Sequence, residues 1–248
     1  MFDINLKRLL PVVTQKIKPF IEEILSSYSG NIHSIHVVGS SVTEDFKEKS
    51  SDINSIFVLN EMDLKFIELI APLGKKYRKK KVAAPLTMTP EYITRSLDVF
   101  PIEFLNFKLI HETVFGKDTL KDIEIRKVDL RNQCEREIKS KLIGLRQGYI
   151  SSQGDLHILT QGFLGSIVGY MPLFRGIIFL MGKEPPIRNY EVISELSDSI
   201  NINTDIFIRI LDIKGGKLKY NKDQLNTVFE EYYTTTEKIG EIIDELQV

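Results

Sequence analysis

The spacing of apolar residues changes once along this chain, near residue 126, and no other feature constrains the fold as much. Before that point, short apolar runs of strand length alternate with helical spacings; after it, only steps of three and four recur. Residues 5–28 predict a helix through Leu6, Leu9, Leu10, Val13, Ile17, Phe20, Ile21, Ile24 and Leu25, with Pro11 and Pro19 restarting or kinking it. Ser29-Gly30-Asn31 ends it, and Ile32–Val38 reads as a buried strand running into Gly39-Ser40-Ser41. A second strand is expected over Asp52–Leu59, a helix over Met62–Tyr77, and a further strand over Val82–Met88. Thr89 and Pro90 predict a capped helix start, and Ile102–Ile110 reads as a third clear strand.

Beyond the change, Cys134, Ile138, Leu142 and Leu145 form one stripe, with Asp129 as the expected N-cap. Helices follow near Tyr190–Ser199, Thr204–Ile213 (stopped by Gly215-Gly216) and Lys222–Leu246. The expected class is therefore α+β, a small mixed-sheet domain over 1–125 followed by an all-helical bundle over 126–248. No internal repeat or low-complexity linker separates them.

The run from Leu156 to Gly182 holds one formal charge, Arg175, and is long enough to span a bilayer. It also holds Gln161, Pro172 and glycines at 162, 165, 169 and 176, which suit a buried central helix bent or restarted at Pro172. The buried helix is the reading adopted, with no membrane partner. The 248 residues, 42% apolar and 27% charged, suffice for two modest cores. With 33 basic against 34 acidic side chains, nothing attracts the whole chain to nucleic acid or anionic lipid. A single cysteine, Cys134, excludes an internal disulfide, and Met-Phe-Asp-Ile-Asn does not begin a signal peptide, so a reducing cytoplasmic location is expected.

Chemistry concentrates in Val38-Gly39-Ser40-Ser41 and, eleven residues on, Asp52-Ile53-Asn54. A strand ending in Gly-Ser lets backbone amides and a hydroxyl approach a phosphate. Residues two apart on a strand share a side, so Asp52 and Asn54 can direct oxygen ligands to one place. Glu103, set among Ile102, Phe104 and Leu105, is costly to bury unpaired and should meet a metal, a base or a cleft.

Together these residues resemble the nucleotidyltransferase superfamily of the DNA polymerase β type over about 30–110. The kanamycin-nucleotidyltransferase-like layout, a minimal catalytic domain followed by a helical bundle, is a looser match. The stretch Ser96–Phe104 is similar to the third-carboxylate region of bacterial predicted nucleotidyltransferases of this size. The resemblance implies Mg²⁺- or Mn²⁺-dependent transfer of a nucleoside monophosphate from an NTP, ATP in the first instance, to a hydroxyl acceptor with release of pyrophosphate. Gly39 and Ser40 would hold the triphosphate, Asp52 and Glu103 would be catalytic, and Asp52, Asn54 and Glu103 would bind the metal. One position departs from the pattern: Asn54 stands where the family has a second Asp. Losing an anion beside a dication costs at least a few kcal/mol, so the alternative is a catalytically weakened protein that binds nucleotide or a partner on the same fold.

Three further residues are candidates for contacting phosphate or acceptor. Glu137 and Lys141, four apart, either face the cleft or form a surface ion pair, as Glu135 and Lys139 could equally do. Arg175, inside the most apolar helix, needs a carboxylate or a bound phosphate as partner. The basic run Lys75–Lys81 permits RNA docking but suits a solvated helix end better. The histidines at 33, 36, 111 and 157 show no metal-ligand spacing and read as packed or edge residues.

Overall fold

The structure is a computed structural model that describes residues 2–217 and 222–248; the expectation for the His157 side chain lies outside the described residues. The fold is α+β. It divides into a sheet unit, residues 1–98 and 104–124, and a helical unit, residues 99–103 and 125–248.

In the sheet unit, α1 (Pro11–Tyr28) starts at a proline, whose missing N–H is no loss in a first turn. β1 (Ile32–Val38) and β2 (Asn54–Leu59) follow, then α2 (Leu64–Arg78), capped by the Asp63 carboxylate on the Lys65 N–H. Next come β3 (Leu86–Met88), α3 (Pro90–Ser96), α4 (Pro101–Leu109), whose first three residues are counted with the helical unit, and β4 (His111–Gly116). Thr89 caps α3 as expected, its side chain accepting from the Tyr92 N–H. The sheet order is β3-β2-β1-β4, antiparallel except for the parallel β2–β3 pair.

Alternation along the strands gives each face of this sheet its own chemistry. Ile35, Val37, Ile53, Phe57 and Leu59 belong to a core with Ile17, Phe20 and Ile24 of α1 and Phe66, Ile70 and Tyr77 of α2. Phe20 meets Phe57 and Tyr77 edge-on at 6.0 and 5.2 Å between ring centroids. Each such fully buried side chain contributes about 1.5–3 kcal/mol, and this face holds the unit together. The opposite face carries Ser34, His36 and Val38 of β1, with Ile56 and Asn54 beside them on β2. Gly116 closes β4 against β1: its φ is +74°, and a Cβ there would lie 2.1 Å from the His33 carbonyl oxygen.

One strand expectation is overturned. The run Ile102–Ile110 is not a strand but the helix α4, and the strand comes after it, at His111–Gly116. Pro101 at the first turn was the signal. Pro101, Ile102, Phe104, Leu105 and Ile110 are all buried, and a short helix covered on several sides shows an apolar run that periodicity cannot separate from a strand.

The helical unit is built on α5 (Lys127–Ser152), whose buried stripe is Leu130, Cys134, Ile138, Leu142 and Leu145. Arg126, not Asp129, precedes its first turn; the Asp129 carboxylate instead accepts from the Arg126 guanidinium. Then come α6 (Leu156–Ser166), α7 (Met171–Leu180), α8 (Asn189–Ile200), α9 (Asp205–Lys214) and α10 (Lys222–Glu245). Gly176 lets α7 approach α5 closely, since a Cβ there would sit 3.0 Å from the Cys134 Sγ. Tyr170, Phe174, Phe207 and Tyr232 pack ring against ring at 4.8–5.6 Å. The stretch Ile158–Leu180 is long and apolar enough to cross a membrane, but 61% of its most apolar window is buried inside the protein.

Candidate functional site

The last residue of β1, Val38, pairs with Asn54 on one side and His111 on the other, so these three side chains form one row across the sheet. Immediately beyond the row, the chain turns through Gly39–Val42 in a short 3₁₀ turn. Gly39 has φ +73°, a conformation that a side chain resists, and a Cβ there would meet nothing within 4 Å. Its N–H is taken by the Ile110 carbonyl, so it supplies the turn rather than a donor. The Ser41 hydroxyl donates to the Val38 carbonyl, which leaves Ser40 as the serine of this turn with a hydroxyl available to a ligand.

Asp52 and Asn54 flank Ile53, which is fully buried in the helix-covered core and held by two backbone hydrogen bonds to the Lys81–Ala83 segment. Both neighbours are exposed; Asn54 lies in the row with Val38 and His111, whereas Asp52, which precedes β2, lines a cleft with Ile70, Gly74 and Lys75 of α2. The Asp52 Oδ1 lies 3.9 Å from the Lys81 Nζ, with side chains 59% and 44% exposed, an ion pair worth little to stability. Lys81, three residues past the end of α2, has φ +64°. The Val82 N–H bonds the Tyr77 carbonyl and the Lys81 N–H bonds that of Arg78, a helix stop usually reserved for glycine. Asp52 shares a cleft of about 660 Å³ with Lys75, Arg78 and Lys81. The basic run is thus divided, because Lys76 turns away to pair with Glu23 at 2.7 Å.

Glu103 belongs to the helical unit. It is exposed in the first turn of α4, where a carboxylate suits the helix dipole, rather than buried within a strand. Gln133, buried on α5, serves it twice: its Oε1 accepts from the Ile102 N–H at 2.8 Å, and its Nε2 donates to the Glu103 Oε2 at 2.8 Å. On the Asn54 face of the sheet, the strands flanking β1 and β2 present His111, Thr113, Leu86 and Met88, with no carboxylate among them.

The remaining candidates also receive definite surroundings. Glu135 and Lys139 make the ion pair, which Asp244 joins at 2.9 Å. The Lys141 ammonium instead sits 4.7 Å from the centre of the Tyr170 ring. Arg175 is 4% exposed, and its guanidinium donates to the Pro186 and Ile187 carbonyls at 3.0 and 2.6 Å and to the Asn189 side chain. That fastens the loop before α8 and directs the group at backbone oxygens.

Sequence spacing did not reveal the grouping of His36, His111 and Asp118, whose potential ligand atoms lie within 4.8 Å of one another. The His36 Nδ1 bonds Thr113 at 2.9 Å, and its Nε2 bonds Ser34 and Thr119, each at 2.9 Å. The Asp118 carboxylate takes His111 together with the N–H groups of Leu120 and Lys121. Burial, and then the neighbouring His111, hold the His36 imidazole down to about 4. Burial alone would raise the Asp118 carboxyl, but the hydrogen bond from His111 and those backbone donors leave it below the ordinary carboxylate value. Each ring nitrogen of His36 already has a protein partner, so this is a closed polar bridge between β1, β4 and the following loop.

No family model matches the chain, and no curated protein matches it. Among solved structures, the chain is similar to the spectinomycin adenyltransferase AAD(9) from Enterococcus faecialis, determined with ATP and spectinomycin. The TM-score is 0.52 at 13% identity, over 90% of this chain and 99% of that one. At that identity the likeness is one of fold alone, a small sheet and many helices in one α+β chain.

Proposed function

We propose that this chain transfers a nucleoside monophosphate from an NTP, with ATP as donor, to a hydroxyl acceptor. The observation that carries the reading is the Gly39–Ser40 turn at the end of β1, with Asn54 paired beside Val38 and an exposed Asp52 two residues before it. The adenyltransferase-like fold supports it, as do the three cations sharing a cleft with Asp52. The donor set fits Mg²⁺: Asp52 offers an exposed carboxylate held only by a long ion pair, and Asn54 a neutral oxygen, while substrate phosphates commonly complete such a shell. Asp52 and Asn54 would hold the ion, which would supply charge neutralisation at the phosphates. Ser40 donates its hydroxyl to a phosphate oxygen. The acceptor oxygen bonds to the α-phosphorus as its proton passes to solvent and the bond to pyrophosphate breaks.

The second reading, nucleotide binding without transfer, rests on Asn54 and on the strands beside it, which bring no second anion to that face. One experiment separates the two. Full-length protein is incubated with α-labelled ATP, Mg²⁺ or Mn²⁺ and a panel of hydroxyl compounds that begins with spectinomycin. Transfer is expected to fall at least about 100-fold in Asp52→Asn. Because the Asp52 side chain is exposed, the melting temperature should not move. An unchanged rate in Asp52→Asn overturns the proposal. ATP binding without transfer, with transfer appearing in Asn54→Asp, establishes the second reading instead.

A further inference from the structure

Within the helical unit, α5 and α6 leave a cleft of about 360 Å³ between them, in the lower part of the roughly 300–1,000 Å³ range of small-molecule sites. Leu145, Leu159, Phe163, Tyr170 and Phe229 make its buried surface. Three glycines keep it open: Gly144 and Gly148, one turn apart on α5, and Gly162 on α6. A Cβ at any of them would meet nothing within 4 Å, unlike Gly176, whose Cβ would touch the Cys134 Sγ. These three glycines therefore serve no close approach of helices, although each costs its helix about 1 kcal/mol relative to alanine.

Lys141 is the one charged residue lining the cleft among the described residues. It is half-buried, and its ammonium lies over the Tyr170 ring, without the salt bridge to Glu137 that four-residue spacing would allow. Burial lowers its pKa, and the Glu137 carboxylate offsets this only in part. An ammonium partly withdrawn from water beside an apolar wall is stabilised when an anion arrives.

We propose that this cleft binds a small amphiphile with a single anionic group, its apolar body against Leu145, Leu159, Phe163 and Phe229 and its anion on the Lys141 Nζ. A cationic ligand finds no carboxylate among the lining residues and is repelled by Lys141. A neutral apolar ligand fills the space but leaves the ammonium unpaired. This site stands apart from the nucleotide-transfer reading, and its test omits ATP so that the two fail separately.

Isothermal titration of the full chain with decanoate, decyl phosphate and decanol decides the matter. At least one of the two anions is expected to bind about tenfold or more tighter than decanol, a difference of about 1.4 kcal/mol. In Lys141→Met that preference disappears while decanol binding stays. In Gly162→Leu, which fills open space, binding of the preferred anion falls at least tenfold with no loss of melting temperature. Equal binding of anions and decanol, no binding of any of them, a preference retained in Lys141→Met, or affinity unchanged in Gly162→Leu would each overturn the proposal.

Discussion

His36 in the sheet unit and Lys141 in the helical unit are both basic groups drawn out of water, and their surroundings answer that burial in opposite ways. The imidazole is met by hydroxyls at both nitrogens, from Ser34, Thr113 and Thr119, and His111 lies edge-on at 5.7 Å. The ammonium meets an aromatic face and an open cleft. A polar group whose partners all come from the protein contributes to the fold. One whose free side faces a cavity leaves a place for something else.

The largest expected effect tests the closed side of this comparison. His36 is held neutral in the fold, at about 4 against an ordinary 6.5, so the unfolded chain takes up the proton first. The stability this contributes is complete above pH 6.5 and declines as pH falls through 4, by about 3 kcal/mol in all. Urea titrations across that window should show the decline, and in His36→Asn its slope should flatten. A slope as steep in the variant as in the parent would show that the imidazole is not the titrating group.

A middle-sized effect is expected at Gln133, which is also fully engaged. Gln133→Leu removes the partner of a buried N–H at the start of α4 and should cost about 1–2 kcal/mol in denaturant unfolding.

The smallest effect should fall at Lys141, and with the opposite sign. Lys141→Met discards a charge without an ion pair; solvent at its exposed end keeps the gain under about 1 kcal/mol, read as an equal or higher melting temperature. A clear loss of stability there would place Lys141 with His36 and remove the contrast.

Much of this was legible in the sequence where a signal is local. The Gly-Ser stop after β1 and the Thr89 cap each depend on neighbours within a few residues. Glu103 was misplaced because apolar residues around a short buried helix look like a strand when Pro101 is underweighted. The His36–His111–Asp118 bridge was not legible, because strand pairing rather than chain spacing makes positions 36 and 111 neighbours. Neither was the state of Lys141: spacing offered two equivalent glutamate–lysine pairs, and only the position of Tyr170 distinguishes them.

Gly116 bears on how such a sheet can drift over generations. A methyl group at that position would strike the carbonyl of residue 33 and prise the outer strand from its neighbour, and Thr113 would move away from His36 with it. Mutations at the rim of β4 can accumulate piecemeal, but this hydrogen atom in place of a side chain is the latch on which the alignment of the two strands turns.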